Sequence, residues 1–188
     1  MKKKLKDFVE ITQGINSSRI RNEAHRTLYD QTDFERDLLS TALPNNILGQ
    51  KPKGDFTVSA GDVIINTMKQ QATIISPESV GKLLTMNFLR VEFLNDKLDK
   101  RFFVYLFNEN RQMKYQKERA TQGVSSFVQK IPINNLKQLT IPEVSIEKQQ
   151  KIGQAYAELL AVRKKYLDLI KYNDQMTLEI LEQATKEE

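Results

Sequence analysis

The sequence predicts an α+β fold: a sheet-rich body over residues 1–144, read as one recognition-type domain, followed by a single long helix over residues 145–188. Three observations carry this. Leu89, Val91 and Phe93 alternate with Arg90 and Glu92, the period-two pattern of a half-buried strand. Residues 145–184 contain no proline and one glycine, Gly153, and strong helix formers dominate them. With 188 residues, 39% of them hydrophobic, and a mean hydropathy of −0.52, the chain can bury one ordinary core and is too mixed in charge for a disordered tail.

The elements follow in order. Leu5, Phe8, Val9 and Ile11 form an opening strand that stops at Gly14. Residues 15–55 are polar, with Asn, Ser, Pro and Gly clusters, and so long a structureless stretch reads as functional or as ordered by a ligand. Phe56–Val58 and Val63–Ile65 are short strands joined by a Gly61-Asp62 turn, and Thr73–Ile75 and Leu83–Phe93 are further strands. Asp96 or Asp99 caps a helix running to about Arg119, with Phe102, Phe103, Leu106 and Met113 on its apolar side. A loop at Gly123, Phe127-Val128, a short element at Ile133–Leu136 and a strand at Leu139–Ile141 complete the body.

In the last segment Ser145 is the expected N-cap, and Glu147 suits the positive end of the helix dipole. Ile152, Ala155, Leu159, Val162, Tyr166, Leu169, Asn173, Met176, Ile180 and Gln183 recur at heptad spacing. Eight of these ten are apolar, which predicts a coiled coil. Tyr156, Leu160, Leu167, Ile170, Leu178 and Leu181 form a second stripe, so the helix needs more than one neighbour. At 1.5 Å per residue it is roughly 60 Å long, too long to bury on its own small domain. Docking at its base and pairing with another chain above are expected. Asn173 either fixes register in the seam or marks where the helix turns outward.

Charge narrows the function. Residues 1–144 carry 22 basic and 16 acidic side chains, residues 145–188 carry 7 and 8, so the positive excess lies wholly in the body and favours a polyanionic partner. The absence of Cys excludes disulfides, thiolate zinc sites and cysteine nucleophiles. His25 stands alone among histidines, which argues against a histidine metal site or a Ser–His–Asp triad, and reads as an ordinary surface or contact residue. No apolar run approaches the roughly 20 residues needed to span a bilayer. No secretory pattern follows Lys2-Lys3-Lys4, so a cytoplasmic protein without a membrane partner is expected. Gly81-Lys82 is followed by Leu83, not Ser or Thr, and no phosphate loop or dinucleotide fingerprint is present. No Asp or Glu has Lys two positions on, and no Asn- or Asp-Pro-Pro-aromatic segment occurs, so nuclease and adenine-methyltransferase chemistry lack their residues. A non-enzyme with no metal or cofactor of its own is expected.

Several segments are familiar in sequence. Leu5-Lys-Asp-Phe-Val-Glu-Ile-Thr-Gln-Gly14, Gly61-Asp62-Val63-Ile64-Ile65, Asn87-Phe88, the aromatic helix at Phe103–Phe107, Thr121-Gln122-Gly123-Val124-Ser125 and Ile141-Pro142-Glu-Val-Ser-Ile-Glu-Lys-Gln149-Gln150-Lys-Ile152 stand in that order over residues 5–152. The chain thereby resembles the DNA specificity subunits of type I restriction-modification systems, in the form of one target recognition domain and one conserved helical region. Val144, Ser145 and Lys148 depart from the usual helix entry. The resemblance implies a chain about half the length of a full subunit, reading one half of a split duplex DNA site. It also implies helices that set the distance between halves and dock methyltransferase subunits, with the restriction subunit as an open further partner; S-adenosylmethionine would belong to the methyltransferase, not to this chain. One reader per chain implies a homodimer on an interrupted palindrome.

Base edges are read by projecting polar side chains, so the polar loops supply the expected contacts. These are Asn16, Ser17, Ser18, Arg19, Arg21 and Arg26; Lys69, Gln70 and Gln71; and Thr121, Gln122, Ser125 and Ser126. Lys51, Lys53, Lys114, Lys117 and Arg119 are expected at phosphates. The dimer helix is expected to pair through Ile152, Leu159, Val162, Tyr166, Leu169, Asn173, Met176 and Ile180. A competing reading of a different class is a non-catalytic interaction module, a truncated half subunit that occupies methyltransferase subunits and modulates the complex.

Overall fold

The alternating segment at Leu89–Phe93 lies inside the main sheet, between two neighbours. The computed structural model describes residues 3–16, 27–40, 56–121 and 130–186. Its strands are β1 (Lys3–Lys4), β2 (Val9–Gln13), β3 (Leu28–Tyr29), β4 (Val63–Asn66), β5 (Gln71–Ile74), β6 (Leu83–Leu84), β7 (Phe88–Phe93) and β8 (Thr140–Ile141). Its helices are α1 (Gln31–Leu39), α2 (Lys100–Glu109), α3 (Arg111–Thr121), α4 (Ile133–Gln138) and α5 (Ile146–Ala184). Strands β2, β7, β4 and β5 form an antiparallel sheet in that order, β1 pairs with β8, and β3 runs parallel to β6.

Successive residues of a strand face opposite ways, and here both faces are covered. On one face Val9, Ile11, Val63, Ile65, Ala72, Ile74, Leu89 and Val91 pack with Phe102, Phe103, Leu106 and Phe107 of α2. On the other, Ile64 and Phe88 join Tyr29, Phe34, Val58, Ile75 and Leu84 in a smaller second core.

The α+β class, the strands at Val63 and Thr73, and the long terminal helix agree with the sequence reading. Several boundaries differ. Leu5–Asp7 is a 3-10 turn, so the first long strand starts at Val9. Phe56–Val58 is not a strand; Thr57 makes an isolated bridge to Leu83. Leu83–Phe93 divides into β6 and β7. The helix expected to reach Arg119 breaks at Asn110, whose extended backbone (ψ 123°) lets its side chain accept from the Met113 amide at 3.1 Å and start α3. Of the two possible caps for α2, Asp99 serves, accepting from the Phe102 amide at 2.9 Å. Within the polar stretch 15–55 lie β3 and α1, started by Asp30, which accepts from the Asp33 amide while the Asp33 side chain accepts from the Asp30 amide.

Helix α5 begins after Ser145 and runs alongside α2 in the same direction. Gln149 near its start accepts from the Asp99 amide at 3.0 Å and donates to the Lys97 and Val144 carbonyls. Further on, Arg163 meets Glu109 at 3.5 Å. The approach is close at Gly153, where a Cβ would lie 2.7 Å from Arg101 Cβ and 2.8 Å from the Phe102 nitrogen. Tyr156, Ala157 and Leu160 are buried, and Ile152 packs at the core's edge. Every residue from Val162 to Lys186 is exposed. Docking therefore uses the start of the second stripe (Tyr156, Leu160), while Leu159, Val162, Tyr166, Leu169, Met176 and Ile180 of the heptad seam face solvent, with Asn173 among them.

Candidate nucleic-acid interface

Among the expected contacts, Asn16, Lys69, Gln70, Gln71, Lys114, Lys117, Arg119 and Thr121 are described. Ser17, Ser18, Arg19, Arg21, Arg26, Lys51, Lys53, Gln122, Ser125 and Ser126, with His25, lie outside the described residues.

Sheet register brings the polar segments together. Gln13 pairs with Leu89 and Asn66 with Phe88, so the end of β2, the β4–β5 hairpin and the β6–β7 turn occupy one end of the sheet. Backbone hydrogen bonds lock them there: the Gly14 amide donates to the Phe88 carbonyl (3.1 Å), Ile15 to Leu84 (2.8 Å), Met86 to Ile15 (2.9 Å) and Thr67 to Asn87 (3.0 Å). Lys130 Nζ reaches Asn87 Oδ1 at 3.4 Å. Asn16, the last described residue before Ser17, and Lys130, the first after residues 122–129, thus belong to the same end as Lys69, Gln70 and Gln71. The approach at Gly14 is too tight for a side chain, since a Cβ would lie 2.3 Å from the Thr85 carbonyl oxygen and 2.5 Å from that of Leu84. Both neighbours are backbone and cannot turn aside. Gly14→Ala is expected to cost about 3 kcal/mol by overpacking, measured by urea unfolding; an unchanged midpoint would mean that the turn does not close on β2.

The hairpin tip is an Asx turn: Asn66 Oδ1 accepts from the Met68 and Lys69 amides at 2.9 and 3.0 Å. Gln70 follows in the left-handed region, with φ of 52°. Helix α1 braces the tip from one side. Lys69 Nζ donates to Glu35 Oε1 at 2.6 Å, Asn66 Nδ2 donates to Gln31 Oε1 at 2.7 Å, and Gln31 donates to Glu35 at 2.9 Å. The Lys69 hydrogen bond, then that of Gln31, holds the Glu35 carboxyl below the usual range. Lys69 can meet a phosphate only by leaving Glu35. Two methionines, Met68 and Met86, are exposed on this end.

Two expectations are revised. Lys117 does not face a phosphate: it is 6% exposed, its ammonium donates to the Gln70 and Phe107 carbonyls at 2.7 Å each, and it lies 4.3 Å from the Phe107 ring centroid. Thr121 does not project either; it is buried and its hydroxyl donates to the Glu118 carbonyl at 2.8 Å. The reason is helical spacing, because Met113, Lys117 and Thr121 recur every four residues and share the buried side of α3. That spacing was the available signal. Lys114 and Arg119 stay exposed, Lys114 paired with Glu109 at 3.1 Å and the Arg119 guanidinium 5.7 Å from the Tyr115 ring. Sequence reading missed Gln31, Glu35, Asn66 and Asn87, although the Asp30–Asp33 capping spacing and Asn66 before Lys69 were present.

Burial, and then the neighbouring Lys114 charge, pushes the Lys117 ammonium down to about 8, with Glu109 and Glu118 opposing. Between that value and the ordinary 10.5 the folded chain holds fewer protons at this site than the unfolded chain. This group's contribution therefore makes stability rise with pH across that window. Lys117→Met should abolish this rise, as read from the difference between the two urea-unfolding profiles over pH 8 to 10.5; identical slopes would remove Lys117 as its source.

Among the described residues no cluster of three His, Cys, Asp or Glu side chains could hold a metal ion, and no helix is long and apolar enough to cross a membrane. What this end of the sheet offers is hydrogen-bonding side chains on a braced, projecting backbone.

No family model matches the sequence, and no curated protein does. Solved structures do match. The type I restriction-modification S subunit from M. genitalium superposes with a TM-score of 0.50 at 15% identity, over 95% of this chain and 42% of that one. The HsdS subunit from Thermoanaerobacter tengcongensis gives 0.54 at 14% identity, over 98% and 43%. The fold is that of the type I S subunits. A third S-subunit-like match, in a structure described as the basis of complex assembly and conformational transition of the type I R-M system, gives 0.59 at 16% identity over 98% and 44%. The chain spans less than half the length of each of these proteins, and the likeness covers both the sheet-rich body and α5.

Proposed function

We propose that this chain recognises duplex DNA as one half of a type I specificity assembly and performs no catalysis itself. The observation that carries the reading is the convergence of separately encoded polar segments on one end of an S-subunit-like sheet: the end of β2 with Asn16, the hairpin Lys69–Gln71, the β6–β7 turn and Lys130. The net +6 of residues 1–144 supports it. In this reading Asn16, Gln70 and Gln71, with the polar residues of 17–26 and 122–126, read base edges, while Lys51, Lys53, Lys114 and Arg119 meet phosphates. Residues 1–144 act as the recognition domain. Residues 145–188 pair two chains through the exposed seam of α5 and dock methyltransferase subunits, which carry S-adenosylmethionine. Two-fold pairing gives two identical readers and an interrupted palindrome.

The test is selection from random duplexes with the full chain, alone and mixed with a methyltransferase subunit from the same genome. One interrupted palindrome is the expected outcome. A single unsplit half-site would keep DNA recognition and remove the symmetric pair. No enrichment in either mixture, with binding to the methyltransferase intact, would replace this reading by the interaction module.

A further inference from the structure

We infer that Lys117 is a positioning residue for the β4–β5 hairpin: its buried ammonium, shared between the Gln70 and Phe107 carbonyls, fixes the backbone that presents Lys69, Gln70 and Gln71. The inference rests on the hairpin being a DNA-reading element. It begins with the residue type. Met113 fills the same side of α3 one turn earlier, and an apolar side chain at position 117 would fill that space without desolvating a charge. What lysine adds is a donor to two carbonyls at once, each charge-assisted and 2.7 Å long, with the Phe107 ring face 4.3 Å away.

The two carbonyls belong to different elements. Phe107 lies in the last turn of α2, where carbonyls lose their helical partners. Gln70 lies at the hairpin tip with φ of 52°, a region that L side chains other than Asn and Asp enter rarely. One ammonium therefore joins α2, α3 and the hairpin at the end of the sheet where the polar segments meet. Asn66 and Glu35 hold Met68 and Lys69 from the α1 side, and Lys117 holds Gln70 from the other. Braced from both sides, the tip presents its side chains at a fixed register, which direct readout of a base edge requires.

Lys117→Met in the full chain tests this. Random-duplex selection should yield a target in which preference at one or two base pairs falls about tenfold. The slope of log K against log salt should stay at the wild-type value, since no phosphate contact is lost. Adding Gln70→Asn, a residue that enters the left-handed region more readily, should restore a large part of that preference. In the free protein, amides of Met68–Gln71 should exchange at least about tenfold faster in the variant, with those of Ile64 and Val91 unchanged. A slope flatter by about one with base preferences intact would make Lys117 a phosphate contact and overturn the inference. If Lys117→Met does not fold, Lys117→Gln keeps an amide donor for one carbonyl, and the same readouts apply; wild-type selectivity and exchange in that variant would also overturn it. Should the wild-type chain select no sequence, the DNA reading fails, and the exchange rates alone decide whether Lys117 holds the hairpin.

Discussion

Phe34→Ala is expected to cost roughly 3–5 kcal/mol, the largest effect of any single substitution proposed for this chain. Phe34 is fully buried on α1, one turn after the Asp30 cap, and tilts against Phe88 with ring centroids 6.0 Å apart. Tyr29 meets the same Phe88 edge-on at 5.1 Å. The core they share contains seven buried residues, so deleting one phenyl ring removes much of what covers that face of the sheet, and the few neighbours have little freedom to close the cavity. Beneath it Asp37 accepts from the Tyr29 hydroxyl at 2.9 Å and from Ser76 Oγ at 2.5 Å. Loosening α1 would let water reach this buried carboxylate. It would also slacken Gln31 and Glu35, the braces of the hairpin tip, so DNA selectivity should weaken with stability. Urea unfolding and amide exchange over residues 31–39 measure it. A loss below about 1 kcal/mol would mean that α1 does not pack on the sheet at all.

That helix was also the element hardest to read in the sequence, for a reason visible in its residues. Of the nine residues Gln31–Leu39, Phe34 alone among the apolar ones is buried, and Leu38 packs only partly. Two anchors in two and a half turns give no apolar period, and the buried Asp33 and Asp37 look like solvated charge until their partners Lys82, Tyr29 and Ser76 come from far along the chain. By contrast β7 and β4 were legible because alternation and continuous apolar runs are local, and α5 because its helix formers continue unbroken for 39 residues. The same division runs through the interface. That Lys69–Gln71 form an exposed polar tip followed from composition, whereas Lys69 pairing with Glu35 depends on a contact 34 residues away. Lys117 was misplaced because its charge was weighed above its spacing from Met113. In a helix with one buried side, position decides which residues are interior, and a lysine placed there must find oxygen atoms, as it does at Gln70 and Phe107.

Leu169→Glu is expected to separate paired chains, weakening self-association by about a hundredfold or more, the equivalent of roughly 3 kcal/mol. The free part of α5, Val162 to Ala184, is about 34 Å long. It leaves Val162, Tyr166, Leu169, Met176 and Ile180 along one flank, each about half exposed or more. Leu167, Ile170, Leu178 and Leu181 continue the side that Tyr156 and Leu160 turn into the core, and they too are exposed. An apolar surface of this extent is unusual on a soluble monomer and marks an interaction site. In a two-fold pair every seam residue occurs twice, so one substitution places two carboxylates between the helices. In the single chain Leu169 is 61% exposed and touches no core, and the variant should keep the wild-type unfolding free energy within about 0.5 kcal/mol. Leu160→Glu is the counterpart, because Leu160 is buried against the body and its loss should unfold the chain rather than dissociate it. Sedimentation over a range of concentrations, with wild-type and variant chains side by side, reads both effects. A wild-type chain that stays single at every concentration would remove the symmetric pair, and with it the palindrome, while leaving the reading of one half-site intact.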